Sequence, residues 1–351
     1  MHLAIILINY HDYVNKYLPE CLASLRQINW LGGEHHFYIV DNDASPSSED
    51  YIKSTMPEVI YLPTPSNLGW GGGNNVGLER AARDGADYFC LLNLDLTVDP
   101  SFITEALNIF QADPAIALVQ SRLMLHESPE LINSLGNDAH YLGFGYCHGY
   151  RETFTDEALY REITYPSGAA VFVSRAAYEK IGPFTADFFM YHDDFEWGMK
   201  SRLAGFKNVV ANRSVVYHKY EFSRWNGKFY WLERNRAILW LVTLKIRTLL
   251  LILPAALLME AGLLLISIKN HWWQHKLKAY LWLLTPANWG KLYDWRRATQ
   301  KLRTISDHEL TKTFCGRIAY QENTLDASWL TRLGNNFFNY YWQVVRHLII
   351  W

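Results

Sequence analysis

The chain has 351 residues, of which 50% are apolar or aromatic and 19% are charged, so it can form about one to three folded domains. Its 33 Lys and Arg residues nearly balance 35 Asp and Glu residues, which argues against a protein devoted to binding nucleic acid, because such proteins carry a basic excess. The four cysteines are widely spaced, so we expect reduced thiols in a cytosolic compartment rather than disulfides or a structural zinc site. A strand-like run begins at residue 2 without a basic n-region or a cleavage site, so we do not expect a secretory signal.

Apolar runs alternate with helical stretches in the first third of the chain. The predicted strands are 3–10, 36–42, 59–64, 88–95 and 115–123, and the predicted helices are 13–27, a short one after residue 42, one after Gly73, and 100–111. This alternation predicts an α/β fold with a mostly parallel sheet flanked by helices. Ligands bind such sheets at the carboxyl ends of the strands, where this chain has polar residues.

The segment Asn67–Gly77 (NLGWGGGNNVG) contains five glycines between a predicted strand and a predicted helix. We interpret it as a loop whose backbone approaches an anionic ligand, and the asparagines could hydrogen-bond a sugar or a base. The glycine spacing matches neither the dinucleotide-binding fingerprint nor the P-loop. A purely structural turn is the alternative.

Two oxygen-bearing side chains, Asn93 and Asp95, end the strand-like run at 88–95, with one residue between them. Together with substrate phosphates they suit a hard cation such as Mg²⁺ or Mn²⁺, although a simple turn also fits this pattern. Asp193 and Asp194 follow a run of aromatic residues and open a predicted helix. They indicate a shielded general base, or only acidic residues at a helix start. His218 ends a strand-like run, a position at which a lone histidine is more often structural than a ligand.

The C-terminal part has a different composition, with 11 of the 14 tryptophans at or after Trp225. The apolar run Thr248–Ile268 is long enough to span a bilayer, but it contains Pro254 and Glu260. A re-entrant or interface-lying hairpin and a buried helix of a soluble domain compete with a span. We predict membrane attachment without choosing its geometry, and a second amphipathic surface helix in the aromatic tail at 337–351.

In order and content these segments resemble the family 2 glycosyltransferases, which are inverting enzymes with the GT-A fold that use nucleotide-diphospho-sugars. The similarity extends over about residues 3–220 and is greatest to rhamnosyltransferase-like bacterial enzymes of cell-surface polysaccharide synthesis. The segments that carry it are residues 5–25, 40–45, 67–78, 91–95, 167–184 and 188–206, and later pieces at 229–238 and 295–310 resemble that subgroup's membrane-associated tail.

The resemblance implies a role for each matching residue. Asp194 would be the catalytic base with Asp193 beside it, and Asp95 and His218 would contact the metal. The residues that would bind the nucleotide are Asn9, Tyr10, Asp41, Asn67, Asn74, Asn93 and Arg234, the last with Asn235 beside the diphosphate.

Three positions depart from the family pattern. Asn93 replaces the first carboxylate of the D-x-D motif, and Asp193 replaces the usual Glu of the base motif. Trp70 and Gly71 stand where the family often has Phe-Ala. These departures affect metal affinity and donor identity rather than the class of enzyme.

The resemblance implies a GT-A catalytic domain at 1–225 and a helical, Trp-rich, membrane-associated region at 226–351. The expected activity is transfer of a sugar, with dTDP-rhamnose as one candidate donor, to a saccharide or lipid-linked acceptor. We expect a divalent cation (Mg²⁺ or Mn²⁺) as cofactor and a place at the cytoplasmic face of the inner or plasma membrane. The alternative is a catalytically silent, membrane-attached protein that binds carbohydrate or nucleotide. A Rossmann-like oxidoreductase is disfavoured by the glycine spacing.

Overall fold

The computed structural model describes residues 1–30, 32–220, 227–319 and 329–351. The chain forms two compact units. The first contains Met1–Asn137, Cys147–Ser201 and the chain from Phe206 to residue 220, and the second contains Asp138–Tyr146, Arg202–Gly205 and the described chain from residue 227. The predicted domain boundary at 225/226 lies outside the described residues. Two short segments from the first part of the sequence thus belong to the second unit.

The strands are β1 (His2–Tyr10), β2 (Glu34–Asn42), β3 (Ile60–Pro63), β4 (Tyr88–Asn93), β5 (Leu96–Val98), β6 (Ile116–Leu125), β7 (Ile132–Ser134), β8 (Asn137–His140), β9 (Gly145–Cys147), β10 (Tyr160–Ile163), β11 (Ala170–Ser174), β12 (Lys207–His218) and β13 (Phe314–Cys315). The helices are α1 (Tyr13–Leu25), α2 (Pro46–Thr55), α3 (Gly69–Arg83), α4 (Phe102–Ala112), α5 (Arg175–Ile181), α6 (Asp193–Leu203), α7 (Lys228–Thr243), α8 (Ile246–Lys269), α9 (Trp273–Leu284), α10 (Pro286–Lys301), α11 (Asp307–Leu310) and α12 (Trp329–Leu348). Two 3₁₀ turns lie at Ala186–Phe188 and Thr311–Thr313.

The main sheet of the first unit has the order β10-β12-β6-β11-β4-β1-β2-β3. The strands β3, β2, β1 and β4 run parallel to one another, which confirms the predicted α/β class. The sheet as a whole is mixed, because β11 lies antiparallel between β4 and β6. This insertion brings the start of β11 next to the carboxyl end of β4, where the predicted metal residues are.

Both faces of β1 are covered, which explains why its sequence is a continuous apolar run. Because side chains alternate along a strand, Leu3, Ile5 and Leu7 join one core cluster, to which α1 also contributes. Ile6 and Ile8 lie instead at two glycines of α3. The sheet is therefore held between helices on both sides, and the polar residues lie at its edge.

The second unit is built from helices and a small three-stranded sheet in the order β13-β8-β9. The predicted apolar run lies in α8, and among the described residues this is the one helix whose length and composition would suffice to cross a membrane. Glu260, in this helix, is bound by Lys276 Nζ at 2.7 Å, by Tyr280 OH at 2.6 Å and by Arg236. Thus the charge inside the apolar run is paired with cations from α7 and α9.

Candidate active site

The carboxyl ends of β1 and β2 are joined by a buried polar network. Asn9 and Asp41 are register partners, and Asn9 Nδ2 donates to Asp41 Oδ1 at 2.7 Å. Asp41 Oδ2 accepts from Ser48 Oγ at 2.6 Å and from Tyr61 OH at 2.8 Å, while Asn9 Oδ1 accepts from Val14 N at 3.0 Å at the start of α1. Asp41, the carboxylate predicted to contact the nucleoside, therefore already accepts three hydrogen bonds from the protein. Its contact with a base or ribose stays a prediction.

The remaining predicted nucleoside residues lie around the start of α3. Asn67 Oδ1 accepts from Gly69 N at 2.8 Å and from Asn42 Nδ2 at 3.1 Å, so it fixes the first turn of the helix. Asn74 is buried within α3 and donates to Trp70 O at 2.9 Å. Tyr10, at the end of β1, is 38% exposed and is open to a ligand.

The interpretation of 67–77 as a loop, with a helix only after Gly73, is wrong. The helix α3 begins at Gly69 and contains all five glycines. A Cβ at Gly77 would collide with Ile6 Cγ2, one at Gly73 would collide with Ile8 Cδ1, and one at Gly71 would lie 3.1 Å from Phe184 Cβ. These glycines are needed because the helix packs closely against its neighbours.

The two carboxylates of the predicted catalytic base motif, Asp193 and Asp194, begin α6. Asp193 is 4% exposed, and its Oδ2 accepts from Gly71 N at 3.1 Å. Asp194 is partly exposed; its Oδ2 accepts from Gly168 N at 3.2 Å and its Oδ1 from Phe195 N at 2.8 Å. Burial raises the pKa of both carboxyls above the usual range for aspartate, and the neighbouring Asp194 charge raises the pKa of Asp193 further. A raised pKa brings a carboxylate closer to the range suited to a general base.

A series of direct contacts connects this base to the end of β4. Asp194 is bound to Gly168 N, and a Cβ at Gly168 would collide with the ring of Trp70. Trp70 Nε1 donates to Asn93 Oδ1 at 3.1 Å, and Asn93 N donates to Ala169 O at 2.9 Å. The predicted base is thus connected through Gly168 and Trp70 to Asn93 at the carboxyl end of β4.

The predicted metal residues, Asp95 and His218, lie next to each other. His218 Nε2 is 3.4 Å from Asp95 Oδ2, and His218 Nδ1 is 2.8 Å from Asn133 Oδ1. An amide oxygen only accepts hydrogen bonds, so the His218 ring donates to it from Nδ1, and Nε2 is the nitrogen that faces the Asp95 carboxylate. A carboxylate and an imidazole nitrogen that face each other fit the ligand types of a divalent cation, and a second partner that orients the ring is typical of metal-ligating histidines.

Across the described parts of the chain, no group of three or more His, Cys, Asp and Glu side chains is arranged to hold a metal ion. Asp95 and His218 would therefore provide two of the ligands. Oxygens of a diphosphate and water are the ligands that Mg²⁺ and Mn²⁺ accept in addition to carboxylates.

Arg234 lies in the second unit, on α7. Its guanidinium carbon is 4.5 Å from the centre of the Trp231 ring and 5.3 Å from that of Trp282. Its Nε also donates to Asn235 Oδ1 at 2.9 Å. The residue is 5% exposed, and its predicted approach to a diphosphate stays a prediction.

Sequence reasoning missed Trp70, Gly168 and Asn133 as parts of the site. Trp70 was noted only as a departure from the family pattern, and Gly168 lay in a matching segment without an assigned role. Their contacts join residues that are distant in the sequence, as in the separations of 23 between Trp70 and Asn93 and of 85 between His218 and Asn133.

The solved structures that this chain resembles establish the fold. A crystal structure of GalNAc-T7 with UDP, GalNAc and Mn²⁺ has a TM-score of 0.57 at 13% identity, covering 69% of this chain and 48% of that one. A crystal structure of S. aureus TarS 1-349 in complex with UDP has a TM-score of 0.50 at 12% identity, covering 99% of this chain and 90% of that one. The first unit accordingly has the GT-A fold, followed by helices.

Two curated relatives are similar over part of their length. The chain is 23% identical over 214 residues to the low-salt glycan biosynthesis hexosyltransferase Agl10 of Haloferax volcanii, covering 57% of this chain and 61% of the relative. It is 25% identical over 202 residues to the N-acetylglucosaminyl-diphospho-decaprenol L-rhamnosyltransferase of Mycobacterium tuberculosis, covering 52% and 66%. The matches thus span less than two thirds of either relative.

The family model described as glycosyl transferase family 2 matches residues 4–182. This stretch is about half of the chain and contains the ends of β1, β2 and β4. The chain belongs to the family 2 glycosyltransferases, which confirms the resemblance inferred from the sequence.

Proposed function

We propose that this protein transfers a sugar from a nucleotide-diphospho-sugar to an acceptor hydroxyl, with inversion at the anomeric carbon. The observation that carries the proposal is the contact series from Asp194 through Gly168, Trp70 and Asn93 toward Asp95. These contacts support the proposal because they connect a carboxylate of raised pKa to the strand end that precedes Asp95, and the carboxylate of Asp95 faces the imidazole of His218.

The reaction requires stabilisation of the leaving diphosphate and removal of a proton from the acceptor hydroxyl. The bond between the anomeric carbon and the diphosphate breaks, and a bound Mg²⁺ or Mn²⁺ supplies Lewis-acid stabilisation of the leaving charge. Asp95 and His218 would hold this cation, and Asn133 orients the imidazole of His218. As the acceptor oxygen bonds to the anomeric carbon, its proton passes to the carboxylate of Asp194, whose pKa is raised by partial burial. Gly168 N keeps the carboxylate in place through this step.

The donor is proposed from relatives alone. One is named a hexosyltransferase and another an L-rhamnosyltransferase that acts on a diphospho-decaprenol acceptor. On this basis dTDP-rhamnose is our first candidate donor and a lipid-linked or saccharide hydroxyl our first candidate acceptor.

A thermal-shift panel of UDP-, dTDP- and GDP-sugars with Mn²⁺, Mg²⁺ or EDTA tests the proposal. We expect one nucleotide series to stabilise the protein in the presence of the cation, and Asp95→Ala to lose that metal-dependent stabilisation. Arg83→Gln, an exposed change at the end of α3, is the control and should behave as wild type. Stabilisation by nicotinamide cofactors, or by no sugar nucleotide at all, would contradict the assignment.

We also propose that the second unit attaches to the cytoplasmic surface of a membrane with α8 lying in the interface rather than crossing it. The helix α8 exposes large apolar residues along its whole length. One face carries Ile246, Leu250, Leu253, Leu257, Leu264 and Ile268, and Leu258, Leu265 and Ile266 are exposed on other sides. The helices α9 and α12 expose apolar side chains at similar spacing, among them Leu277, Leu281, Phe337, Tyr340 and Val344. An exposed apolar surface of this extent is unusual for a soluble monomer.

The opposite face of α8 argues against a simple span. Thr248, Ile252 and Ala255 are buried, so this face packs within the protein rather than against lipid. Glu260 is held by Lys276 and by Arg236, and separating these partners would leave a charge unpaired in hydrocarbon at a cost of about 2.5–3.5 kcal/mol on insertion scales. The burial of one side in the first half of α8 and the pairing of Glu260 together favour monotopic attachment over a span.

Co-sedimentation with anionic lipid vesicles tests this geometry. The double variant Leu257→Glu/Leu265→Glu should lose most vesicle binding, because both side chains are exposed and their burial in lipid would be lost. Leu159→Glu, an exposed leucine of the first unit, is the matched control and should sediment as wild type. Equal sedimentation of all three proteins, or protease protection of one flank of α8 in sealed vesicles, would overturn the proposal.

A further inference from the structure

A cavity of about 410 Å³ in the first unit is lined in part by His218, one of the two residues predicted to contact the metal. We propose that this cavity binds the diphosphate of the acceptor substrate. This inference rests on the proposed function, since it names the acceptor class for the same site. Its lining includes Lys16 of α1, His126 after β6, Arg151, and His218 and Lys219 at the end of β12. We call it the basic cavity. Its volume is in the range of small-ligand sites.

The charge of the basic cavity fits an anion. Three cationic side chains, Lys16, Arg151 and Lys219, face one lining carboxylate, Glu127, even when the histidines are neutral. Lys219 is paired with Glu20, which is not part of the lining. Cationic nitrogens form shorter and stronger hydrogen bonds to phosphate oxygens than neutral donors do.

Aromatic side chains provide the rest of the wall. Tyr17, Tyr150 and Tyr220 all line the cavity, and the rings of Tyr150 and Tyr220 meet edge to face with centroids 6.1 Å apart. The guanidinium carbon of Arg151 lies 5.6 Å from the centre of the Tyr150 ring, and Lys16 Nζ lies 4.6 Å from that of Tyr17. The rings thus lie beside the cations, and phenolic hydroxyls add donors suited to phosphate oxygens.

The position of the basic cavity on the sheet separates it from the nucleoside. The residues predicted to hold the nucleoside follow β1 and β2, whereas the cavity lies at the ends of β6 and β12. None of Asn9, Asp41 and Asn67 lines it. Asp194 is held by Gly168, just before β11, and β11 lies between β6 and β4. An acceptor with its diphosphate in the cavity could therefore present a hydroxyl to the base from the side opposite the nucleoside.

Metal-free calorimetry with inorganic pyrophosphate tests the proposal on the full chain in EDTA. Wild type should bind, and Lys16→Gln/Arg151→Gln should bind at least about tenfold more weakly, because two charge-assisted contacts are lost. Arg83→Gln, which removes an exposed cation far from the lining, should match wild type. Farnesyl diphosphate provides a second arm: tighter binding than pyrophosphate indicates a lipid-linked acceptor, and equal binding indicates a soluble one.

Two results would overturn the proposal. One is equal pyrophosphate binding by wild type and the double variant. The other is binding that requires Mn²⁺ and is lost in Asp95→Ala, which would assign the cavity to the donor diphosphate. Failure of the proposed function is distinguishable, because it would appear in the sugar-nucleotide panel while metal-free pyrophosphate binding still depended on Lys16 and Arg151.

Discussion

Replacing Asp194 with Asn changes the proposed base while keeping its shape. General-base catalysis contributes about 10²–10⁴-fold, so turnover should fall by at least this factor, or about 3–5 kcal/mol in activation free energy. The carboxylate accepts from Gly168 N and Phe195 N through different oxygens, and an amide has one oxygen. One of these N–H groups then loses its hydrogen-bond acceptor, which costs about 1–3 kcal/mol of stability. Removal of the charge of this partly buried carboxylate stabilises the fold and offsets part of that cost.

The assay is release of nucleoside diphosphate under single-turnover conditions with saturating donor and Mn²⁺. Donor affinity measured by calorimetry should change little, because Asp194 does not lie at the metal pair. The base must be ionised, so wild-type kcat/KM should fall as the pH drops through the pKa of Asp194, which burial holds above the ordinary aspartate range. Turnover of Asp194→Asn within about tenfold of wild type, with the same acid limb, would refute the assignment.

Two further changes test the packing around the site. Burial and the Asp194 charge raise the pKa of Asp193 in the folded state. Between the unfolded-state and the folded-state pKa of Asp193, the folded protein therefore binds more protons than the unfolded protein, and the free energy of unfolding falls as the pH rises through this window. Asp193→Asn should therefore raise the free energy of unfolding at pH 8 by about 1–3 kcal/mol and by much less at pH 4, and an equal effect at both would contradict this. Gly77→Ala places a methyl group against Ile6 and should destabilise by about 1–3 kcal/mol in urea unfolding, whereas Gly262→Ala in α8, with open space around it, should not; equal stability of the two variants would argue against close helix–sheet packing.

The elements and the strand-end residues could be predicted because the determinants are local. Strands and helices alternate in apolar pattern, and Asn9, Asp41 and Asp95 stand at or just after strand ends in the sequence as they do in the structure. Asp95 and His218, which the resemblance pairs, also lie next to each other in the structure. Periodicity and motif order were sufficient for this part.

Other features depend on contacts that a single sequence does not show. The glycines of α3 resembled a loop because local propensity disfavours glycine in helices, whereas their role is to admit Ile6 and Ile8. The antiparallel insertion of β11, which places Gly168 beside Asp194, is a pairing between distant segments. The partners of Glu260 are likewise on other helices, so its cost in an apolar run could not be judged from the run itself.

Anomalous scattering from a crystal grown with Mn²⁺ and a nucleoside diphosphate tests the central claim most directly. The account predicts a Mn²⁺ peak within coordination distance of Asp95 and His218, with diphosphate oxygens completing the shell. A nucleotide bound at the ends of β1 and β2 with Mn²⁺ elsewhere, or with His218 still directed only at Asp95 and Asn133, would contradict it.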